Sequence, residues 1–164
     1  SMGRLFDAVA ALIGVRETIT YEAQAGIELE GLLPPLDPVV NDRASSYTFD
    51  VYDDGDGQII DPAPILAAVV ADVRRGVPPE AIAGRFHAAV ANAIAEVCVL
   101  LRADTGLETV ALSGGVFQNV HLLDAAVRRL QDRDFTVLTH RVVPANDGGL
   151  ALGQAIIGCH QLES

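Results

Sequence analysis

The chain contains no lysine and no tryptophan, and all eleven of its basic residues are arginine, set against 22 Asp and Glu for a net charge of −11. The missing lysine excludes a Walker-type phosphate loop, whose ammonium reaches the phosphates, and Schiff-base chemistry, which needs an amine. The shortage of positive charge excludes a nucleic-acid surface, because no basic patch exists to displace counterions from a phosphate backbone. So acidic a chain can hold a phosphate only through backbone N–H groups, a divalent cation, or arginine supplied nearby. Long apolar runs are also missing: the longest are broken by charge, so no transmembrane helix is expected. The N-terminus lacks a signal-peptide pattern, since Arg4 and Asp7 interrupt it, and a cytoplasmic location is expected. Cysteine is scarce: Cys98 and Cys159 lie far apart, each in an apolar helical context, and are expected to be buried reduced thiols.

What is present suits one domain spanning residues 1–164: half the residues are apolar, and a chain this long buries roughly 70% of its unfolded surface. Ser1-Met2 reads as a remnant of expression, because helical periodicity begins almost at once. Leu5, Val9 and Leu12, widened by Phe6 and Ile13, form one stripe that Gly14 ends. A second helix is expected from Tyr21 to Leu33, capped by Thr20, with Tyr21, Ala25, Leu29 and Leu32 inward. Residues 34–46 are the least ordered-looking stretch. A hairpin follows, Tyr47 to Tyr52 and Gln58 to Ile60 around an acidic turn. That turn fails the calcium-loop pattern, because Ile59 stands where an EF-hand requires glycine. Asp61 with Pro62 opens a helix to Arg75. A long helix runs from Pro79 to Ala103, with Ile82, Phe86, Val90, Ala93, Val97 and Leu100 on one face and His87 beside it. His87 reads as a hydrogen-bonded structural residue rather than an acid, base or ligand. The remaining order is strand, helix, strand, helix, which implies two parallel strands joined by a right-handed crossover. The fold class is α/β with helical additions and a partly parallel sheet.

The residues that carry chemistry cluster in this last part. Ser113-Gly114-Gly115-Val116-Phe117-Gln118-Asn119 follows the strand Glu108–Leu112 and precedes an amphipathic helix reaching Leu130. Two glycines between a strand and a helix gather bare N–H groups at a helix N-terminus, a ready site for an anion. A plain strand–helix connection is the alternative, since glycines are common there. Asn119 lies off the apolar stripe of Val116, Val120, Leu123, Val127 and Leu130, so its amide is expected to be free for a ligand. Ser113 does not sit in a nucleophile elbow, because Ala111 replaces the first glycine of Gly-x-Ser-x-Gly. Asn146-Asp147-Gly148-Gly149 opens the final helix, where Asp147 either caps the helix or contributes to a metal site. His87, His121, His140 and His160 show no paired ligand spacing, so Asp147 alone cannot hold a metal.

The run Val110-Ala111-Leu112-Ser113-Gly114-Gly115-Val116-Phe117-Gln118-Asn119, followed by Pro144-Ala145-Asn146-Asp147-Gly148-Gly149-Leu150-Ala151-Leu152-Gly153-Gln154, resembles the C-terminal end of the HypF carbamoyltransferase family of nickel–iron hydrogenase maturation. The segments Gly3 to Leu12, Tyr21 to Ala25, Asp54 to Gly57 and Arg85-Phe86-His87 resemble it as well. The resemblance implies the second lobe of an actin-like ATPase (ribonuclease-H-like) fold that closes with a first lobe over a nucleotide and a divalent metal. Family members make carbamoyl-adenylate from carbamoyl phosphate and ATP, then pass the carbamoyl group to the C-terminal cysteine of HypE. By motif, Gly114 and Gly115 would face the α-phosphate or adenosine, Asn119 would hydrogen-bond the adenylate, and Asp7 would take the ribose hydroxyls. Asp147 would be this lobe's metal ligand. The family usually has glycine where this chain has Ala23, a position at which glycine would let the ribose approach.

The family's acylphosphatase-like, zinc-binding and adenylating domains, and the first lobe with its His-x-x-x-His motif, are not represented in these residues. The resemblance therefore implies half of a site, inactive alone, whose partners are the missing lobe, the upstream domains and a HypE-like acceptor. The alternative from another class is a non-catalytic docking or self-association module, built on the side of the lobe that its companion normally covers.

Overall fold

The computed structural model describes residues 1–36, 47–55 and 57–162. Most of the stretch expected to be least ordered, and Asp56 of the acidic turn, lie outside those residues. Six α-helices occur among the described residues: α1 (Met2–Leu12), α2 (Gln24–Glu30), α3 (Ala63–Arg74), α4 (Pro79–Thr105), α5 (Val120–Gln131) and α6 (Leu150–Leu162). Four strands join them: β1 (Asp50–Asp53), β2 (Gln58–Asp61), β3 (Thr109–Leu112) and β4 (Thr136–Thr139). Strands β1 and β2 form the expected antiparallel hairpin, with Val51 opposite Ile60. Strands β3 and β4 pair in parallel, Thr109 with Thr136 through Leu112 with Thr139, as the crossover through α5 requires.

Helix α4 is the spine. It is long and apolar enough to cross a membrane by length and composition, contrary to the expectation from the sequence. Its apolar surface is instead spent inside the fold: Ile82, Ala83, Phe86, Ala89, Val90, Ala91 and Ala95 are buried on nearly every side of its first half. A helix apolar all round is what a central core position demands. The alanines let α5 approach closely, and Leu122, Ala126 and Leu130 of α5 are fully buried in the same cluster. Arg129, also buried, locks the pair by donating to Asn92 Oδ1 at 2.5 Å. On the other side, the Phe6 ring of α1 meets Phe86 edge-on at 4.8 Å.

Several helices are rotated or shortened relative to their expected faces. In α1 the buried residues are Phe6, Val9 and Ala10, with Ile13 beside them, and Leu12 faces out. The small Ala10 is inward because close packing there favours a short side chain over a long one. Helix α2 begins only at Gln24, leaving Tyr21 exposed, and Thr20 does not cap it. The relation is reversed: the Thr20 N–H donates to Gln24 Oε1 at 2.8 Å. Ala23, just before α2, holds φ +62°, a left-handed conformation that costs an L-residue about 1 kcal/mol. A glycine at this position would meet that backbone demand without the strain. Arg16 then clamps the α1–α2 connection through a two-point bond to Glu28, at 2.8 and 2.6 Å.

Asp61 accepts the Ala63 N–H at 2.9 Å and so supports the start of α3, as expected. Near the other end of α3, the Asp72 carboxylate is 1% exposed and bonded by Tyr47 Oη at 2.5 Å, by Arg85 at 2.5 Å and by Arg75. These donors hold the Asp72 carboxyl down at about 2, led by the Tyr47 hydroxyl, while burial first and then Asp72 itself push Tyr47 up to about 12. This network ties the residue before the hairpin to α3 and α4. Both cysteines are free, as expected, but less buried than expected: Cys98 is half-buried with its thiol pushed up by burial, and Cys159 is exposed on α6.

Candidate functional site

The glycine turn does not lead straight into α5. Gly114 takes φ +108°, open only to glycine, and Gly115–Gln118 form a single 3₁₀ turn before Asn119 starts the α-helix. Gly114 donates its N–H to Ala145 O at 2.7 Å, which ties this turn to the second one. The N–H groups of Gly115 and Val116, at the open end of the 3₁₀ turn, find no acceptor among the described residues. A Cβ at position 115 would meet nothing closer than Asn146 Cβ at 3.9 Å, so backbone packing does not demand glycine there. The open N–H groups therefore lie at a 3₁₀ turn, one turn earlier than the α-helix.

The N-terminus of α5 is already satisfied from within. Asn119 Oδ1 accepts the Leu122 N–H at 2.8 Å. Glu30, at the end of α2, accepts the Val120 N–H at 2.7 Å and reaches His121 N at 3.4 Å. A carboxylate at that helix end meets both the bare donors and the positive end of the helix dipole. The remaining amide of Asn119 donates to His87 Nε2 at 2.8 Å, and His87 Nδ1–H donates to Ala83 O at 2.8 Å. The Asn119 amide, expected to be free, is thus spent on the cap and on the core. These two bonds fix the imidazole as the neutral Nδ1–H tautomer. His87 is 3% exposed between the Phe6 and Phe86 rings, and burial pushes its pKa down to about 4. The structural reading of His87 holds. Glu30 carries no sequence signal for its role, since its partner is 90 residues away.

In the second glycine turn the cap is Asn146, whose Oδ1 accepts the Gly148 N–H at 3.0 Å, and not Asp147. Asp147 opens a short 3₁₀ turn ahead of α6 and is exposed. Gly149 is demanded by packing: a Cβ there would lie 2.8 Å from Pro144 O and from Val143 Cγ1. Gly114 and Gly115 therefore lie where the two turns meet, with Asp147 in the second turn, while Asn119 is turned to His87 and the start of α5. Asp7 sits half-buried on α1, which lies against the 3₁₀ turn, next to the Phe6 that packs on His87. No hydrogen bond joins Asp7 to the others among the described residues. No group of three His, Cys, Asp or Glu able to hold a metal occurs among them either, so Asp147 fits a metal only as one ligand of an incomplete set. The hairpin carboxylates are spent on their own turn, Asp53 accepting Gly55 N–H at 2.7 Å and Asp54 accepting Gly57 N–H at 3.1 Å.

Two glycine turns thus meet at the carboxyl ends of the parallel strand pair, with the Asp147 carboxylate in the second of them. The family described as "Carbamoyltransferase, Kae1-like Domain, second subdomain" matches residues 1–154. The Carbamoyltransferase HypF of Rhodobacter capsulatus is 39% identical, the match covering 100% of this chain and 20% of that protein. The solved structure described as full-length HypF in the phosphate- and nucleotide-bound form superposes with a TM-score of 0.91 at 40% identity, covering 100% of this chain and 21% of that one. The HypF of T. kodakarensis gives a TM-score of 0.78 at 29% identity, over 99% of this chain and 20% of its own. The chain belongs to the HypF carbamoyltransferase family, and it spans about a fifth of the length of these relatives.

Proposed function

We propose that this chain is the nucleotide-binding second lobe of a HypF-type carbamoyltransferase, with the topology of an actin-like ATPase lobe. In that reading Gly115 and its neighbours line the phosphate or adenosine of ATP or carbamoyl-adenylate. The observation that carries it is the pair of joined glycine turns, which leaves the Gly115 and Val116 N–H groups unpaired beside the exposed Asp147. It is supported by the full-length HypF relative, described as phosphate- and nucleotide-bound. Asp147 would supply one oxygen to a divalent cation whose other ligands come from a first lobe, and the cation would offset nucleotide charge. Asn119 acts from its fixed position at the start of α5, and Asp7 faces the ribose from α1. With one wall of the cleft present, the chain is inactive alone. The assembled cytoplasmic enzyme would move a carbamoyl group from adenylate to the C-terminal thiolate of a HypE-like acceptor, releasing AMP.

The test is calorimetric titration of ATP with Mg²⁺ into the chain mixed with a HypF first lobe. Gly115→Val places a branched side chain over the free N–H groups and should weaken binding by about tenfold or more, roughly the worth of one lost charge-assisted hydrogen bond. Asn119→Ala should weaken it as well. An affinity left unchanged by both substitutions would remove the site from these residues.

A second reading, a docking or self-association module, is favoured by one observation: α6 has no buried residue although it carries Leu150, Leu152, Ile156 and Ile157. Light scattering separates the two, since a strict monomer at high concentration counts against self-association.

A further inference from the structure

Helices α1 and α2 move as one unit. Phe6, Ala10, Ala25 and Leu29 are buried in the common core, and the helices approach so closely that a Cβ at Gly26 would lie 3.7 Å from Phe6 Cβ. Arg16, just past α1, holds Glu28 of α2. This unit carries Asp7, and it meets the start of α5 at two points. The Phe6 ring, next to Asp7, stands edge-on to the His87 ring at 5.2 Å, and His87 accepts the Asn119 amide. From the last residue of α2, Glu30 Oε1 accepts the Val120 N–H at 2.7 Å and reaches His121 N at 3.4 Å. Residues 119–121 are therefore held from α4 and from α2, directly after the 3₁₀ turn that bears the open Gly115 and Val116 N–H groups.

The Glu30 bond does more than cap a helix. Asn119 is already the side-chain cap of α5, and the Val120 N–H lies at the surface, where water serves a bare donor nearly as well. What water cannot do is fix the distance between α2 and α5. A carboxylate bonded to a helix N-terminus is held by charge as well as by direction. Helix α2, and α1 with it, cannot shift along α5 without breaking that bond.

We propose that Glu30 is a positioning residue: by clamping α2 to the start of α5, it sets the separation between Asp7 on α1 and the open N–H groups of Gly115 and Val116. Its consequence for binding rests on the nucleotide reading, in which Asp7 faces the ribose and the 3₁₀ turn lines another part of the same ligand. A ligand held at two points gains from both only when their spacing matches its own. Loosening the clamp therefore costs the Asp7 contact and spares the rest. Glu30 itself touches no ligand.

The first arm of the test needs no nucleotide: amide NMR of the 164-residue chain. Glu30→Ala should shift the amides around Asp7 together with those of Gly115 and Val116. Glu30→Gln, which keeps an acceptor oxygen, should shift them little. Changes confined to Val120 and His121 would overturn the proposal whatever the site binds. The second arm is calorimetric titration of the chain mixed with a HypF first lobe, using Mg²⁺ with ATP and, separately, with dideoxy-ATP, which lacks both ribose hydroxyls. The unaltered assembly should prefer ATP. Glu30→Ala should weaken ATP about tenfold and leave dideoxy-ATP nearly unchanged, and Glu30→Gln should restore most of the preference. Glu80→Ala, which removes an equal charge from the first turn of α4, should alter neither affinity. A Glu30→Ala chain that loses both nucleotides alike, or keeps its full preference for ATP, overturns the positioning role and leaves the nucleotide reading standing. An unaltered assembly that binds the two nucleotides equally takes the ribose away from Asp7, and then that reading of Asp7 fails and the proposal with it.

Discussion

Helices α4 and α6 are both largely apolar, α4 rich in Ala and α6 in Leu, Ile and Ala, yet they end in opposite surroundings. Helix α4 is enclosed by α1, α3 and α5, and ten of its residues are buried. Helix α6 packs chiefly on its own 3₁₀ turn and buries none. The difference teaches that an apolar helix announces a covered face without naming what covers it. For α4 the cover lies within this chain. For α6 it is absent from the described residues, and the chain corresponds to about a fifth of its relatives.

The sharpest way to test this contrast is to remove bulk from each helix. Phe86→Ala empties a fully buried ring site in contact with Phe6 and should cost about 3–5 kcal/mol in urea unfolding. A loss below 1 kcal/mol would mean that α4 is not the spine. The next effect is acid sensitivity. Unfolded His87 titrates near 6.5 and the folded, buried residue near 4, so between those values the unfolded chain binds the extra proton. Its contribution is intact above about pH 6.5 and declines as pH falls toward 4, by roughly 3 kcal/mol in all. In His87→Gln the slope of stability against pH over that window should flatten; equal slopes in the two proteins would place the acid sensitivity elsewhere. Asp72, held near 2, adds its own loss only below the ordinary carboxylate range, as pH falls from about 4 through 2.

Ala23→Gly should move stability the other way, raising it by about 1 kcal/mol by relieving the left-handed backbone. A destabilising result would show that the loop does not hold that conformation in solution. The smallest effect belongs to α6: Ile156→Ala, at a site 60% exposed, should fall within about 0.5 kcal/mol of the unaltered protein. A core-sized loss there would show that α6 is covered in solution by another copy, and the comparison with α4 would collapse.

Element type was legible almost throughout, because turn residues and apolar spacing are local. The hairpin at Asp53–Gln58, the start of α3 at Asp61–Pro62 and the strand–helix–strand run ending near Thr139 all follow from neighbours in the chain. Facing was less legible. Leu12 and Val120 were expected inward by hydrophobicity and lie outside, while Ala10 and Ala126 lie inside, since the distance between packed helices selects for small side chains. At the site, the glycine turns and Asp147 could be picked out from their residues, but the spending of the Asn119 amide could not, because His87 and Glu30 reach it from remote parts of the chain.

By itself, the sequence determined the chemistry available: an acidic, lysine-free chain, two glycine turns in order, a carboxylate within the second, and motifs specific enough for family membership. Those properties depend on residue identity and short spacing. Only the tertiary structure decided which donors stay open. It closed the start of α5 with Glu30 and left Gly115 and Val116 unpaired one turn earlier. The reason is that hydrogen bonds and ion pairs are allotted in three dimensions, among groups whose separation along the chain carries no trace of their meeting.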